Sequence, residues 1–299
     1  MAKHHSSLPE IYEQYLTYYE QTRQVQGDQI KDVRRILEAF YGFLKRNKII
    51  LSRLRIEQID AFMTEYCKCL AQSTAKIYRY YLRGFLKYLY HESKTLKKDL
   101  APLVLGPPQF AQAKPPKFLR PHEIQKLFTS LKLSTPSAIR TYAIVYMAYS
   151  LGLRPKEISL IKLDDISFKK KELILRRRKG NNPVTLPIPE DTVKAIAAYL
   201  INVRPDSQQI RSLFLNLKPA YKTMSPASVA VCITKAMKKA GLSCSSYWLR
   251  HTYAQNLLHA GQSIYEIKEM LGHQNIQSTQ RYLSINTDLM RKVMFNEIL

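Results

Sequence analysis

The sequence predicts a mainly helical protein that carries one small antiparallel β-sheet. Three observations lead there. Glycine is scarce, with nine in 299 residues, which is sparse for an all-β chain or a phosphate-loop enzyme. Leu, Tyr, Lys and Arg dominate long stretches with apolar residues at steps of three and four, the period of a helix. One stretch, 172–188, changes character: Glu172 to Arg178 and Pro183 to Pro189 read as two strands around Lys179-Gly180-Asn181-Asn182. Asn and Gly tolerate the positive φ that a tight hairpin needs. Hydrophobic residues make up 45% of the chain, enough for a substantial core.

Along the first segment, helices are expected near 8–24, 28–47, 57–70 and 73–92, with Asp28 and Ser73 as N-caps. On the last of these, Ile77, Tyr81, Leu82, Phe85, Tyr88 and Leu89 share one broad face. Lys76, Arg79, Arg83 and Lys87 recur on another face, suited to the phosphates of a groove, although such a row is also what a solvated helix surface looks like. Residues 106–116 hold four prolines in eleven positions. Proline cannot continue a helix and pushes its predecessor towards extended geometry. The chain therefore divides into 1–105, a stiff linker over 106–117, and 118–299. Beyond the linker, Arg120-Pro121-His122-Glu123 opens a helix, another runs near 137–151, and Pro155 begins a third. Helices resume after the hairpin. The last, over 287–299, presents Leu289 and Val293, and Met290, Met294 and Ile298, as apolar ridges. They can pack on the chain's own core or on a neighbouring copy.

Charge narrows the partners. Lys and Arg number 47 against 23 Asp and Glu, a net +24, and such self-repulsion is usually offset by a polyanion, first of all nucleic acid. No apolar run approaches the roughly 18 residues of a membrane span, and the opening Met1-Ala2-Lys3-His4-His5 lacks the apolar core of a signal peptide. A cytoplasmic protein is expected. Cys67, Cys69, Cys232 and Cys244 form no CxxC pair and read as reduced thiols. EF-hand, HExxH and Walker patterns are absent from the sequence.

Five polar positions follow one another in a particular order. They are Arg154 in Gly152-Leu153-Arg154-Pro155-Lys156-Glu157, Lys179 in Arg178-Lys179-Gly180, Arg250 in Leu249-Arg250-His251-Thr252, His273 in Leu271-Gly272-His273, and Tyr282 in Gln280-Arg281-Tyr282. With Tyr282 nine residues after His273, the chain closely resembles the tyrosine recombinase/phage integrase family. The resemblance covers nearly the whole chain and is strongest from 150 to 284.

The resemblance implies a chemistry that these residue types suit. Tyr282 would attack a DNA phosphodiester and keep the bond energy in a phosphotyrosyl ester. Arg154 and Arg250 are planar, permanently charged forks for the non-bridging oxygens. Lys179 would protonate the leaving 5′-oxygen, His273 would assist near the phosphate, and Glu157 would brace the hydrogen-bond network. Arg176, Arg177 and Arg178 beside Lys179 would contact DNA, or else form a solvated sheet edge. One position departs from the family pattern, which usually has His or Lys three residues before the second arginine. Here it is Tyr247, whose phenol can donate a hydrogen bond but carries no charge. His251 is not moved into that role, because one residue on a helix is a turn of about 100°.

With these features, the resemblance implies a C-shaped two-domain clamp. A helical DNA-binding domain would face a catalytic domain across double-stranded DNA, with four copies tied into a synaptic tetramer through the C-terminal helix. Strand cleavage and rejoining would serve integration, excision or resolution in a prokaryotic cytoplasm at the nucleoid, with no cofactor, metal, ATP or membrane. Two alternatives remain: a type IB topoisomerase-like relaxing enzyme, and an inactive DNA-binding regulator of the same fold.

Overall fold

The computed structural model describes residues 8–25, 27–107, 116–176, 183–206, 209–272, 275–280 and 282. Several sequence expectations lie outside them: residues 108–115 of the linker, Arg177, Arg178, Lys179, His273 and the helix over 287–299. The chain forms two compact units, Met1–Ala111 and Gln112–Leu299.

In the first unit α1 (Glu10–Arg23), α2 (Gly27–Arg46), α3 (Ile56–Cys67) and α4 (Gln72–His91) surround an aromatic core. Tyr12, Tyr15, Phe40, Phe62 and Phe85 are buried in it, and burial pushes the Tyr12 and Tyr15 phenols above their ordinary range. The helix starts differ from the expected caps. Gly27 already opens α2, so Asp28 sits inside its first turn, and Ala71 rather than Ser73 precedes α4. The inward face of α4 also differs in phase. Ala75, Tyr78, Tyr81, Leu82, Phe85, Leu86 and Leu89 are buried, while Ile77 is 49% exposed. Tyr78 displaces Ile77 because its ring spans to Tyr66 and Tyr81 and its hydroxyl accepts from Arg35 at 3.2 Å. Gly84 lets α1 approach α4, since a Cβ there would lie 2.6 Å from the Tyr15 hydroxyl.

The second unit shows why proline is frequent in this sequence. Pro121, Pro136, Pro155 and Pro226 each open a helix: α5 (Pro121–Ser130), α6 (Pro136–Ser150), α7 (Pro155–Leu160) and, later in the chain, α9 (Pro226–Lys239). Proline's fixed φ suits that position, where an N–H would have no helical partner. Between α7 and α9 come β1 (Ile166–Ser167), β2 (Glu172–Leu175), β3 (Val184–Pro187) and α8 (Glu190–Asn202). The strands form one antiparallel sheet in the order β1-β2-β3, with Leu173 opposite Leu186 and both buried. The pairing of β2 with β3 was legible in the sequence, over shorter strands than expected, and the expected turn at 179–182 lies outside the described residues. The added strand β1 was not legible, because two residues carry no alternation to detect.

Three more helices complete the described chain: α10 (Tyr247–His259), α11 (Ile264–Leu271) and α12 (Gln277–Gln280). Ser263 starts α11 by accepting from Glu266 N–H at 3.2 Å while Glu266 accepts from Ser263 N–H at 2.7 Å. Helix α6 packs against α8, α9 and α10 in the main core. Helix α10 is enclosed on two sides. Leu249 joins that main core, whereas Ala254 and Leu258 join a second, small core with Ile267, Leu271 and Tyr282. Among the described residues, no helix is long and apolar enough to cross a membrane.

Candidate active site

The site begins at a turn that only glycine fits. Gly152 has φ +61°, and a Cβ on it would collide with the ring of Tyr253. The turn ends α6, aims the Gly152 carbonyl at α10, and delivers Arg154 to the residue just before α7. There the Glu157 carboxylate accepts from the Arg154 backbone N–H at 2.7 Å, satisfying a helix-start donor. The same carboxylate accepts from Arg154 Nη1 at 2.7 Å. Glu157 thus fixes both the backbone and the guanidinium of one residue.

Arg250 comes to the same place from α10. Its Nη1 donates to the Gly152 carbonyl at 2.6 Å and lies 3.6 Å from Glu157 Oε2. Nη2 donates to the Leu271 carbonyl, which Arg154 Nη1 also approaches at 3.5 Å. Leu271 is the last residue of α11, where carbonyls lose their helical partners. Gly272, at φ 60°, ends that helix in the left-handed conformation and leaves Leu271 open to both forks. The C-terminal end of the helix dipole favours cations there. Two guanidiniums meet one carboxylate, so this cluster holds one net positive charge. Arg250 and Glu157 are buried, and the Arg154 side chain keeps 20% of its surface open. Such an arrangement sets two cationic forks side by side, the chemistry that holds an anion's oxygens.

Tyr282 lies in the small core, buried against Ala254, Leu258, Ile267 and Leu271. Its hydroxyl is 2.8 Å from His251 Nδ1, with ring centroids 5.7 Å apart. His251 is the residue that sequence reasoning set aside. The helical rotation that keeps it from Arg250's partners is what turns it towards Tyr282. Its place directly after Arg250 was visible, but nothing in the sequence said which element would pack on that side. Tyr247, the first residue of α10, stands 50% exposed one turn before the buried Arg250.

The other expected positions are spread more widely. Lys179, Arg177, Arg178 and His273 lie outside the described residues. Arg176 donates from Nε to the buried Asp165 at 2.7 Å, which ties the end of β2 to the turn before β1. On α4, Lys76 and Lys87 are exposed. Arg83 donates to the Val104 carbonyl, from Nε at 2.7 Å and also from Nη2, and Arg79 lays Cδ, Nε and Nη1 of its side chain beside Gly106. The four are therefore not one uniform basic row.

Comparison with known proteins bears on this arrangement. The model of the phage integrase family matches residues 117–288. A tyrosine recombinase XerC of Bacillus pumilus is 31% identical over 240 residues, 77% of this chain and 77% of that protein. The fold superimposes on the XerH site-specific recombinase bound to a palindromic difH substrate with a TM-score of 0.75, at 18% identity, covering 95% of this chain and 84% of that one. A Tn1549 transposon integrase in complex with a circular intermediate DNA gives a TM-score of 0.72 at 15% identity, covering 96% and 99%.

Proposed function

The chain belongs to the phage integrase family and is a tyrosine recombinase that carries out site-specific recombination, and from that premise we propose that it breaks and rejoins double-stranded DNA through a 3′-phosphotyrosyl link to Tyr282. The observation that carries this reading is the convergence of Arg154 and Arg250 on Glu157 and the Leu271 carbonyl, with Tyr282 in the core that Leu271 also helps to build.

In this reading the two guanidiniums exchange carbonyl partners for the non-bridging oxygens of the scissile phosphate. Their charge then offsets what develops on those oxygens in the transition state. Glu157 holds Arg154 in place while the phosphate reacts. Tyr282 attacks, the phosphorus–5′-oxygen bond breaks, and Lys179 protonates the departing oxygen. His273 assists at the phosphate, and Tyr247 donates one neutral hydrogen bond from the rim. Exposed basic residues such as Lys76 and Lys87 contact the backbone of the duplex. Four copies on two duplexes, joined through residues 287–299, would carry out integration, excision or resolution in a prokaryotic cytoplasm.

The test uses nicked duplexes with a randomised segment, whose cleavage releases a short fragment and traps the covalent adduct. Wild-type chain should capture a defined subset of sequences, and peptide mass spectrometry should place the DNA on Tyr282. Tyr282→Phe should bind the captured sequences with unchanged affinity and form no adduct. An adduct that persists in Tyr282→Phe would put the nucleophile elsewhere.

A further inference from the structure

A phenol is a weak nucleophile until it loses its proton, so the attack assigned to Tyr282 needs an acceptor for that proton. The position where the resemblance would place an imidazole or amine is Tyr247, which is half exposed and is itself a phenol. The imidazole that reaches the Tyr282 hydroxyl is instead His251, with Nδ1 at 2.8 Å. That separation is within direct proton-transfer range. The acceptor is also well supported. His251 sits on α10 next to Arg250, in a helix held by the main core through Leu249 and by the small core through Ala254 and Leu258.

We propose that His251 is the general base of this enzyme, taking the phenolic proton of Tyr282 through Nδ1 during cleavage and returning it during ligation. This rests on Tyr282 being the nucleophile. The imidazole starts neutral with its proton on Nε2, so that Nδ1 accepts from the phenol. As the bond from the Tyr282 oxygen to phosphorus forms, the phenol proton passes to Nδ1 and the imidazole becomes a cation. The bond from phosphorus to the 5′-oxygen breaks, and that oxygen takes its proton from the acid, Lys179. Ligation reverses each step: the 5′-hydroxyl attacks, its proton returns to Lys179, and the departing phenolate recovers its own from His251. No external acid, base or metal enters the balance. Imidazole suits a group that must accept and then release a proton, since its ordinary titration lies between pH 5 and 8.

The inference separates proton transfer from positioning, and two substitutions divide them. His251→Asn keeps an acceptor, the amide oxygen, near the place of Nδ1 but takes no proton. His251→Phe keeps a ring of similar size and removes the acceptor. Single-turnover cleavage of a captured nicked duplex by the full chain should slow by roughly 10²–10⁴-fold in both, with DNA affinity unchanged. Replacing Tyr282 by 3,5-difluorotyrosine, a far more acidic phenol, should restore most of the rate to His251→Asn and change the wild-type rate little. An Asn variant within threefold of wild type would overturn the proposal and leave His251 a positioning residue. Failure of the fluorinated phenol to rescue would overturn it as well. Both outcomes are distinct from failure of the nucleophile assignment, in which the wild-type adduct would map to a residue other than Tyr282.

Discussion

In the unit Met1–Ala111, Arg34 pairs with Glu13 at 2.6 Å through side chains that remain 37% and 42% exposed. In the other unit Arg154 and Arg250 share Glu157 through side chains that are 20%, 4% and 5% exposed. The sequence writes both arrangements with the same letters, and water separates them. An exposed pair gains little because solvent screens it and two flexible side chains must be ordered. A buried set holds its geometry because losing a partner leaves a charge without solvation. The exposed pair is neutral as a whole, whereas the buried set keeps one positive charge, the one that the proposed phosphate contact would use.

The largest break in this contrast should come from Arg250→Ala. It removes a buried cation from the Gly152 and Leu271 carbonyls and from Glu157, a loss of about 3–5 kcal/mol in folding stability by the usual behaviour of such sites. Cleavage should fall by at least roughly 10²–10³-fold. Urea unfolding and single-turnover cleavage check the two effects. An unchanged unfolding midpoint would show that the buried cluster contributes nothing to the fold. Glu157→Gln should be milder, because the amide still accepts from the Arg154 backbone N–H while the ion pairs are lost. A stability decrease of about 1.5–3 kcal/mol is expected, the range for hydrogen bonds to charged groups.

Within α4 the contrast can be sharpened between neighbours. Arg83→Ala, which loses the bonds to Val104, should destabilise by about 1.5 kcal/mol. Lys76→Ala should leave stability within about 0.5 kcal/mol and reduce the salt dependence of DNA binding by about one ion. If the two variants behave alike, exposure does not divide the basic residues of this helix. The smallest effect concerns pH. The hydrogen bond from Arg34 is the main cause holding the Glu13 carboxyl below its ordinary 4.5. A carboxylate whose folded value is depressed adds stability above its unfolded value and loses it as pH falls through the folded one. Wild-type stability should therefore decline below about pH 4.5 more than that of Arg34→Met, by a margin that salt reduces. Denaturant midpoints from pH 6 to pH 3 measure it.

Local rules made much of this molecule legible. Proline at a helix start and the apolar residues of the two paired strands each depend on neighbours within a few positions, so those elements could be read in order. The arginines of the site were legible because their contexts are short and ordered. What escaped depends on packing between distant segments. Tyr78 in place of Ile77 is decided by rings on α3 and α4. Arg83 on Val104 is decided by where the chain goes 21 residues later. His251 is decided by the return of residue 282 to α10, 31 residues on. A helical wheel gives the direction of each side chain but not what will be waiting there.

Helix α10 is a wall shared by a large core and a small one, and the two should not come apart together. Among the described residues the small core has five buried members, fewer than the main core, and it is expected to open locally first. Amide exchange should therefore release α11 and α12 well before α10, whose own protection is set by Leu249 and the helices behind it. Such a gradient has a use. Arg250 and His251 ride on the late-exchanging wall, while Tyr282 belongs to the part that loosens first. The proposed nucleophile would then sit in the smaller core, and Arg250 and His251 on the helix that the larger core also holds.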